Sequence, residues 1–422
     1  MDFSLGEEQL AVEQSAAALF GKMVTPDRVA VVENGADRFD DVLWAELARA
    51  DLLGIALPSA WGGSGMGMLE LCSLLQAQGR YVAPVPLWST LVLGAMPVAE
   101  FGADSLKERL LPGVASGEVR LTAALNEAVA AGWGLAGVTS ASREGQGSAG
   151  ARASRGWAGV RAERDGDGWR LSGRAFAVPQ AHLATRVLVP ALGADGQELA
   201  VLVDPAMPGA SLERALTTDR QVHPHLTLDG VRVPCDEVLG APGMVATGAE
   251  VVSWVTARGR TGLCAIALGA CEEALRMTAS YLDEREQFGR PLSSFQGVLL
   301  KAADAAIDIE AVRVTLWEAA WRLDSGRPAS EAVAVANWWA SEAGQRVVHA
   351  TQHLHGGVGA DISYPVHRYF LWVKQIELML GSPSAQLAEL GKIVTAKVAE
   401  VAEVADLPEV AEVAGHRTQE LR

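Results

Sequence analysis

Two segments of this 422-residue chain carry residue types and spacings suited to a phosphorylated ligand. Residues 285–296 read REQFGRPLSSFQ. Arg285 presents a planar, permanently charged fork that matches a pyrophosphate oxygen. Phe288 adds an apolar face, and Gly289 lets the backbone turn close beside a ligand. Residues 353–368 read HLHGGVGADISYPVHR, where Gly356-Gly357-Val358-Gly359 can bring backbone N–H groups against a phosphate or a sugar. Taken alone, Arg285 has a plainer alternative: a helix arginine paired with Asp283 or a neighbouring Glu. His349 and His353 stand four residues apart, a spacing that could hold a metal. No Asp, Glu or Cys accompanies them locally, so histidines of a core or an interface are the better reading.

The elements around these segments follow from hydrophobic period. Residues 6–23, 40–50 and 68–79 are amphipathic at helical spacing, separated by Gly/Pro punctuation that is densest at residues 58–65. From Leu121 the pattern shortens. Residues 160–163, 169–172, 185–189 and 199–203 read as strands, with Asp-Gly turns at Asp165-Gly166 and Asp167-Gly168. Residues 127–157 form a Gly/Ala/Ser-rich loop. Helical period returns near Ala249. Ser293 with Gln296 predicts a capping box opening a helix to about Arg322, and residues 330–352 read as another helix. The expectation is an α+β chain: an N-terminal helical domain over 1–120, a middle β-barrel-like domain over 121–240 and a C-terminal four-helix bundle over 241–397. A low-complexity Val-Ala-Glu tail covers 398–422.

Composition narrows the functions. A formal net charge of -16 argues against nucleic acid and anionic membrane surfaces, so an anionic ligand needs a locally basic patch. Neither a signal-peptide pattern at the opening MDFSLGEEQL nor a bilayer-length apolar run is evident. The four cysteines lack metal-ligand spacing, and Cys264 and Cys271 share one helical face as core thiols. A reduced, cytoplasmic protein is expected.

Four segments in order resemble the acyl-CoA dehydrogenase family: residues 58–65 its P-x-x-x-G-G-x-G turn, 228–240 (LDGVRVPCDEVLG) the exit from its β domain, 285–296 its R-x-Q-F-G segment, and 353–368 its Q-x-x-G-G-x-G and Y-P-x-x-R. The resemblance runs to about residue 392. It implies FAD as cofactor and α,β-dehydrogenation of an acyl-CoA thioester. It also implies that Arg285, Gln287, Phe288, Leu292 and Phe295, with His353, Leu354 and Gly357, hold the adenosine-diphosphate half of a neighbouring subunit's FAD. His353 departs from the family's Gln.

That chemistry needs a carboxylate to take the α-proton, a flavin to accept the β-hydride and hydrogen bonds to the thioester oxygen. The family's Glu slot aligns with Leu380, and the alternative slot of a minority of relatives with Gly259. Neither residue can take a proton, so no catalytic residue is assigned in this chain. The flavin-side motif G-x-K-x-W-I-T aligns with residues 173–179, where Pro179 has no N–H. The family's T-E-P stretch appears only as Asn126-Glu127-Ala128. The pattern is similar to the β-type subunit of α2β2 acyl-CoA dehydrogenases that act on steroid side chains, most closely over residues 364–371 and 374–381. The resemblance then implies a homologous base-bearing partner subunit, a bulky acyl-CoA and an electron-transfer flavoprotein as acceptor. Two rivals stand beside it. One is a homomeric enzyme with Glu377, or less readily Glu250, as a relocated base, against Glu377 as an exposed helix charge. The other is a non-redox scaffold on the same fold.

Overall fold

The structure, a computed structural model, describes residues 6–132, 159–194 and 196–405. It opens with helices α1 (Glu7–Met23), α2 (Pro26–Asn34), α3 (Asp41–Arg49), α4 (Met68–Tyr81), α5 (Met96–Phe101), α6 (Asp104–Ala115) and α7 (Asn126–Ala130). Starts are written in the side chains. Thr25 caps α2 ahead of Pro26, and Asp40 caps α3 while gripping Arg28 through two 2.6 Å hydrogen bonds. Between α4 and α5 lies a π-helix, Trp88–Ala95, buried along its whole length, which no hydrophobic period announces.

The middle region is a mixed sheet of β1 (Leu121–Ala123), β2 (Val160–Asp165), β3 (Gly168–Ala175), β4 (Arg186–Gly193), β5 (Glu198–Val203), β6 (Ala210–Glu213), β7 (His225–Val233) and β8 (Val238–Gly240). Its order is β6-β7-β3-β2-β4-β5-β8, with β1 parallel to β4. The β2–β3 hairpin pairs Asp165 with Gly168, so Gly166-Asp167 is one two-residue turn rather than part of two Asp-Gly turns. Most of the predicted Gly/Ala/Ser-rich loop, from residue 133, lies outside the described residues.

The last region is helical: α8 (Gly248–Glu284), α9 (Gln296–Asp324), α10 (Ser330–Leu354), α11 (Val366–Ile376) and α12 (Pro383–Ala405). The predicted tail lies outside the described residues from 406 onward. Thr247 and Glu250 form a capping box at the start of α8. In that box the Glu250 carboxylate accepts from Thr247 N at 2.7 Å. The capping box expected at Ser293 is absent. Residues Leu292–Ser294 form a 3-10 turn after Pro291, Ser294 Oγ turns back to Pro291 O at 2.7 Å, and α9 starts uncapped after Phe295.

Backbone contact fixes how α4 and α8 cross. A Cβ on Gly79 would stand 2.0 Å from Ile266 O, and one on Gly269 would stand 1.9 Å from Gln76 O. The two helices therefore meet at their glycines and bury Leu71, Leu74, Leu75 and Leu268 around the crossing. Cys264 and Cys271 are buried, and burial pushes both thiols up, Cys264 to about 12. No helix among the described residues is long and apolar enough to cross a membrane.

Candidate functional site

At the end of α8 the chain leaves the helix through Arg285 and makes a two-stranded ribbon, β9 (Glu286–Gln287) and β10 (Arg290–Pro291). The turn residues, Phe288 and Gly289, have φ of 54° and 79°. Positive φ at both places is the type I′ pattern, which glycine adopts freely and phenylalanine does not. Phe288 is nonetheless 91% exposed. Its ring meets Phe295 edge-on at 6.1 Å, and Arg290 lies over Phe295 at 4.0 Å. Leu292 N donates to Arg285 O at 2.9 Å and closes the ribbon's base. Gln287 is exposed, with its amide on Glu286 O. Arg285 is also exposed and forms no ion pair among the described residues, so the pairing with Asp283 or a nearby Glu is not what the fold does with it.

The second segment ends α10. Leu354 is half-buried and Gly357 sits exposed in a 3-10 turn, Gly356–Ala360, with nothing within 4 Å of a Cβ built on it. His355, passed over in the sequence reading, ties this turn to the ribbon. It stacks on Tyr281, one helical turn before Arg285, at 4.7 Å, and bonds Thr351 O at 2.8 Å. The glycine turn is thus packed against the end of α8. His353 instead lines a groove between α9 and α10 with Lys301, Asp304 and Arg346. His349 is edge-on to Phe370 at 4.8 Å, and no group of three or more His, Cys, Asp or Glu among the described residues could hold a metal.

The places where a base is expected tell a different story. Leu380 and Gly259 are neighbours: a Cβ on Gly259 would stand 2.9 Å from Leu380 Cδ1 and 3.0 Å from Leu93 Cδ2. Both slots therefore open on one spot, and apolar atoms fill it. Trp88 covers it from the π-helix, donating Nε1–H to Gly259 O at 2.9 Å. Behind it Arg260 donates to Leu380 O at 2.9 Å and to Glu389 at 2.8 Å, a buried pair that occupies the Glu389 carboxylate. Glu377 is not the exposed helix charge that was expected. It follows the end of α11, half-buried, and takes Lys374 Nζ at 2.5 Å.

The flavin-side strand is equally committed. Phe176 N–H donates to Glu127 Oε1 at 2.8 Å, Ala177 N–H to His225 Nδ1 at 2.9 Å and Val178 N–H to Pro224 O at 2.9 Å. Pro179 has no N–H, and its carbonyl accepts from Thr122 at 2.7 Å. Burial raises the Glu127 pKa, since an ionised carboxylate there loses its hydration. The space left between this strand, Leu93 and Leu380 is a cavity of about 190 Å³. Sites for drug-sized ligands run to roughly 300–1,000 Å³.

The FAD implied by the resemblance therefore fits one surface and not the other. An unpaired arginine, an open aromatic face and an uncrowded glycine turn suit its adenosine-diphosphate half. The strand that should face the flavin ring has no free N–H across residues 176–179, and the ring's space is largely filled. Sequence alone could locate Leu380, Gly259 and Pro179. Glu127 showed only as part of the reduced T-E-P stretch, and Trp88 and His225 carried no signal, because their roles depend on partners far away in the chain.

Comparison with known proteins agrees along the chain. Residues 6–118 match the acyl-CoA dehydrogenase N-terminal domain and residues 246–395 the acyl-CoA dehydrogenase C-terminal domain. The chain is 34% identical over 400 residues to acyl-CoA dehydrogenase FadE27 of Mycobacterium tuberculosis, covering 93% of this chain and 98% of that protein. Among solved structures it is similar to a variant of the Tcur3481-Tcur3483 steroid ACAD, at 45% identity and TM-score 0.80, covering 94% of this chain and 100% of that one. It is also similar to a chain of the ChsE4-ChsE5 complex from Mycobacterium tuberculosis, at 34% identity and TM-score 0.81, covering 97% and 100%. The chain belongs to the acyl-CoA dehydrogenase family.

Proposed function

We propose that this chain is the subunit without a catalytic base in a heteromeric, FAD-dependent acyl-CoA dehydrogenase, an α2β2 assembly with a homologous partner. The observation that carries the reading is the asymmetry of its two half-sites. Residues fit to hold a neighbour's adenosine-diphosphate are open and unpaired, while the chain's own flavin edge and base slot are closed. In this reading Arg285 binds a pyrophosphate oxygen, Phe288 and Phe295 cover the adenosine, and the Gly357 turn brings backbone N–H groups to the phosphates, with Gln287, Leu292, His353 and Leu354 around them. FAD supplies the β-hydride acceptor, and a carboxylate of the partner takes the α-proton. The similarity to a steroid ACAD and to a two-protein complex supports a bulky CoA thioester and an unlike partner. An electron-transfer flavoprotein is the proposed acceptor and the cytoplasm the proposed compartment.

A pure scaffold would share the filled site but leaves the exposed, positive-φ Phe288 without a purpose. The Lys374 contact counts against Glu377 as a base. The test is an acyl-CoA oxidation assay on the chain, the partner and the co-purified pair. Turnover by the pair alone is expected; turnover by the lone chain would sink the reading.

A further inference from the structure

The cavity of about 190 Å³ is small for a flavin but not for everything. An apolar cavity of roughly 150 Å³ accepts a benzene ring. Trp88, Leu93, Pro179, Met379 and Leu380 give its wall apolar side chains, polar atoms supply at least as much of its surface, and none of its lining residues carries a charge at neutral pH. Into it faces His223, only 4% exposed, whose backbone N–H donates to Ala215 O at 3.0 Å while its imidazole has no partner among the described residues. Neither ring nitrogen is both sealed and unpartnered among the described residues, so the imidazole keeps accessible surface for a small polar partner. Burial also keeps this imidazole below the ordinary histidine pKa, so it is neutral and offers one donor and one acceptor.

Two more polar groups line the same space with atoms to spare. Asn126 uses its amide nitrogen on Phe176 O at 3.0 Å, leaving its oxygen open. Gln375 uses its oxygen on Thr218 N–H at 3.0 Å, leaving its amide nitrogen open. Asn126, Leu378 and Leu380 also border a cleft of about 670 Å³ between α7 and α12, so the two spaces share a wall.

We propose that this cavity is a binding site for an uncharged single-ring compound bearing one hydroxyl or carbonyl group, the ring against Leu93, Met379 and Leu380 and the oxygen on His223. An anion is disfavoured because no cationic side chain lines the space. The inference rests on the reading that this chain holds no flavin ring of its own.

The experiment is calorimetric titration of the co-purified complex with phenol and with benzene, using wild type, His223→Leu and Met379→Phe in this chain, with FAD per complex measured on the same samples. Phenol should bind the wild type at least tenfold more tightly than benzene. His223→Leu should abolish that preference while benzene still binds, and Met379→Phe should weaken both. Equal affinity for the two probes on the wild type, an unchanged phenol affinity in His223→Leu, or no binding overturns the proposal. The FAD count separates the two failures. One FAD per chain means that the cavity is a flavin site and brings down the proposed function as well. One FAD per pair, with no binding preference, removes this inference alone.

Discussion

Phe288 and Leu380 share almost the same positive φ, 54° and 53°, at opposite extremes of exposure: 91% against 4%. A large side chain at positive φ costs about 1–2 kcal/mol wherever it occurs. At Leu380 the chain itself offsets that cost, because the side chain is packed beside Gly259 and its carbonyl is held by Arg260. At Phe288 almost nothing inside the chain does so, apart from an edge contact with Phe295. The difference teaches where to look for the missing compensation: inside the chain for the closed site, and in another molecule for the open one.

The comparison can be broken first at the closed site. Arg260→Met leaves Glu389 buried and unpaired, and a loss of about 3–5 kcal/mol is expected as a lower denaturant midpoint. The double variant Arg260→Met with Glu389→Leu should recover most of it; if the single change is silent, the pair does not hold the closed site. At the open site, Arg285→Ala removes a charge-assisted contact of about 1.5–3 kcal/mol. FAD should leave the complex roughly ten- to a hundredfold more readily, with the chain's own melting unchanged, as equilibrium dialysis of flavin can show. Phe288→Gly sharpens the point, because glycine keeps the turn and removes the strain. It should raise the melting temperature of the chain slightly while weakening its hold on the partner by about 1–2 kcal/mol in sedimentation titrations. A partner affinity that did not fall would mean that the exposed ring serves no interface. The smallest effect is expected of Glu377→Gln. Loss of its contact with Lys374 costs under about 1 kcal/mol, and turnover of the complex should stay within about twofold.

The open site was the more legible of the two. Its chemistry lies in contiguous residues, Arg285 to Phe295 and His353 to Gly359, and a type I′ turn is a local event that short sequence encodes. Helices and strands with clear period were read within a few residues of their ends, as with α1 and β5. The closed site was legible only as missing residues at Leu380, Gly259 and Pro179. What fills it comes from far along the chain: Trp88 from a π-helix, His225 from β7 and Leu93 against Gly259. No periodicity carries such pairings, because they are fixed when the domains pack. The failed capping box at Ser293 has the same cause on a smaller scale, since the preceding ribbon turns Ser294 back to Pro291.

The measurement that bears most directly on this account is the visible spectrum and native mass of the chain purified alone and with its homologous partner. The account predicts a colourless lone chain and a yellow α2β2 complex with two FAD per four chains. A yellow lone chain that bleaches on addition of an acyl-CoA would contradict it.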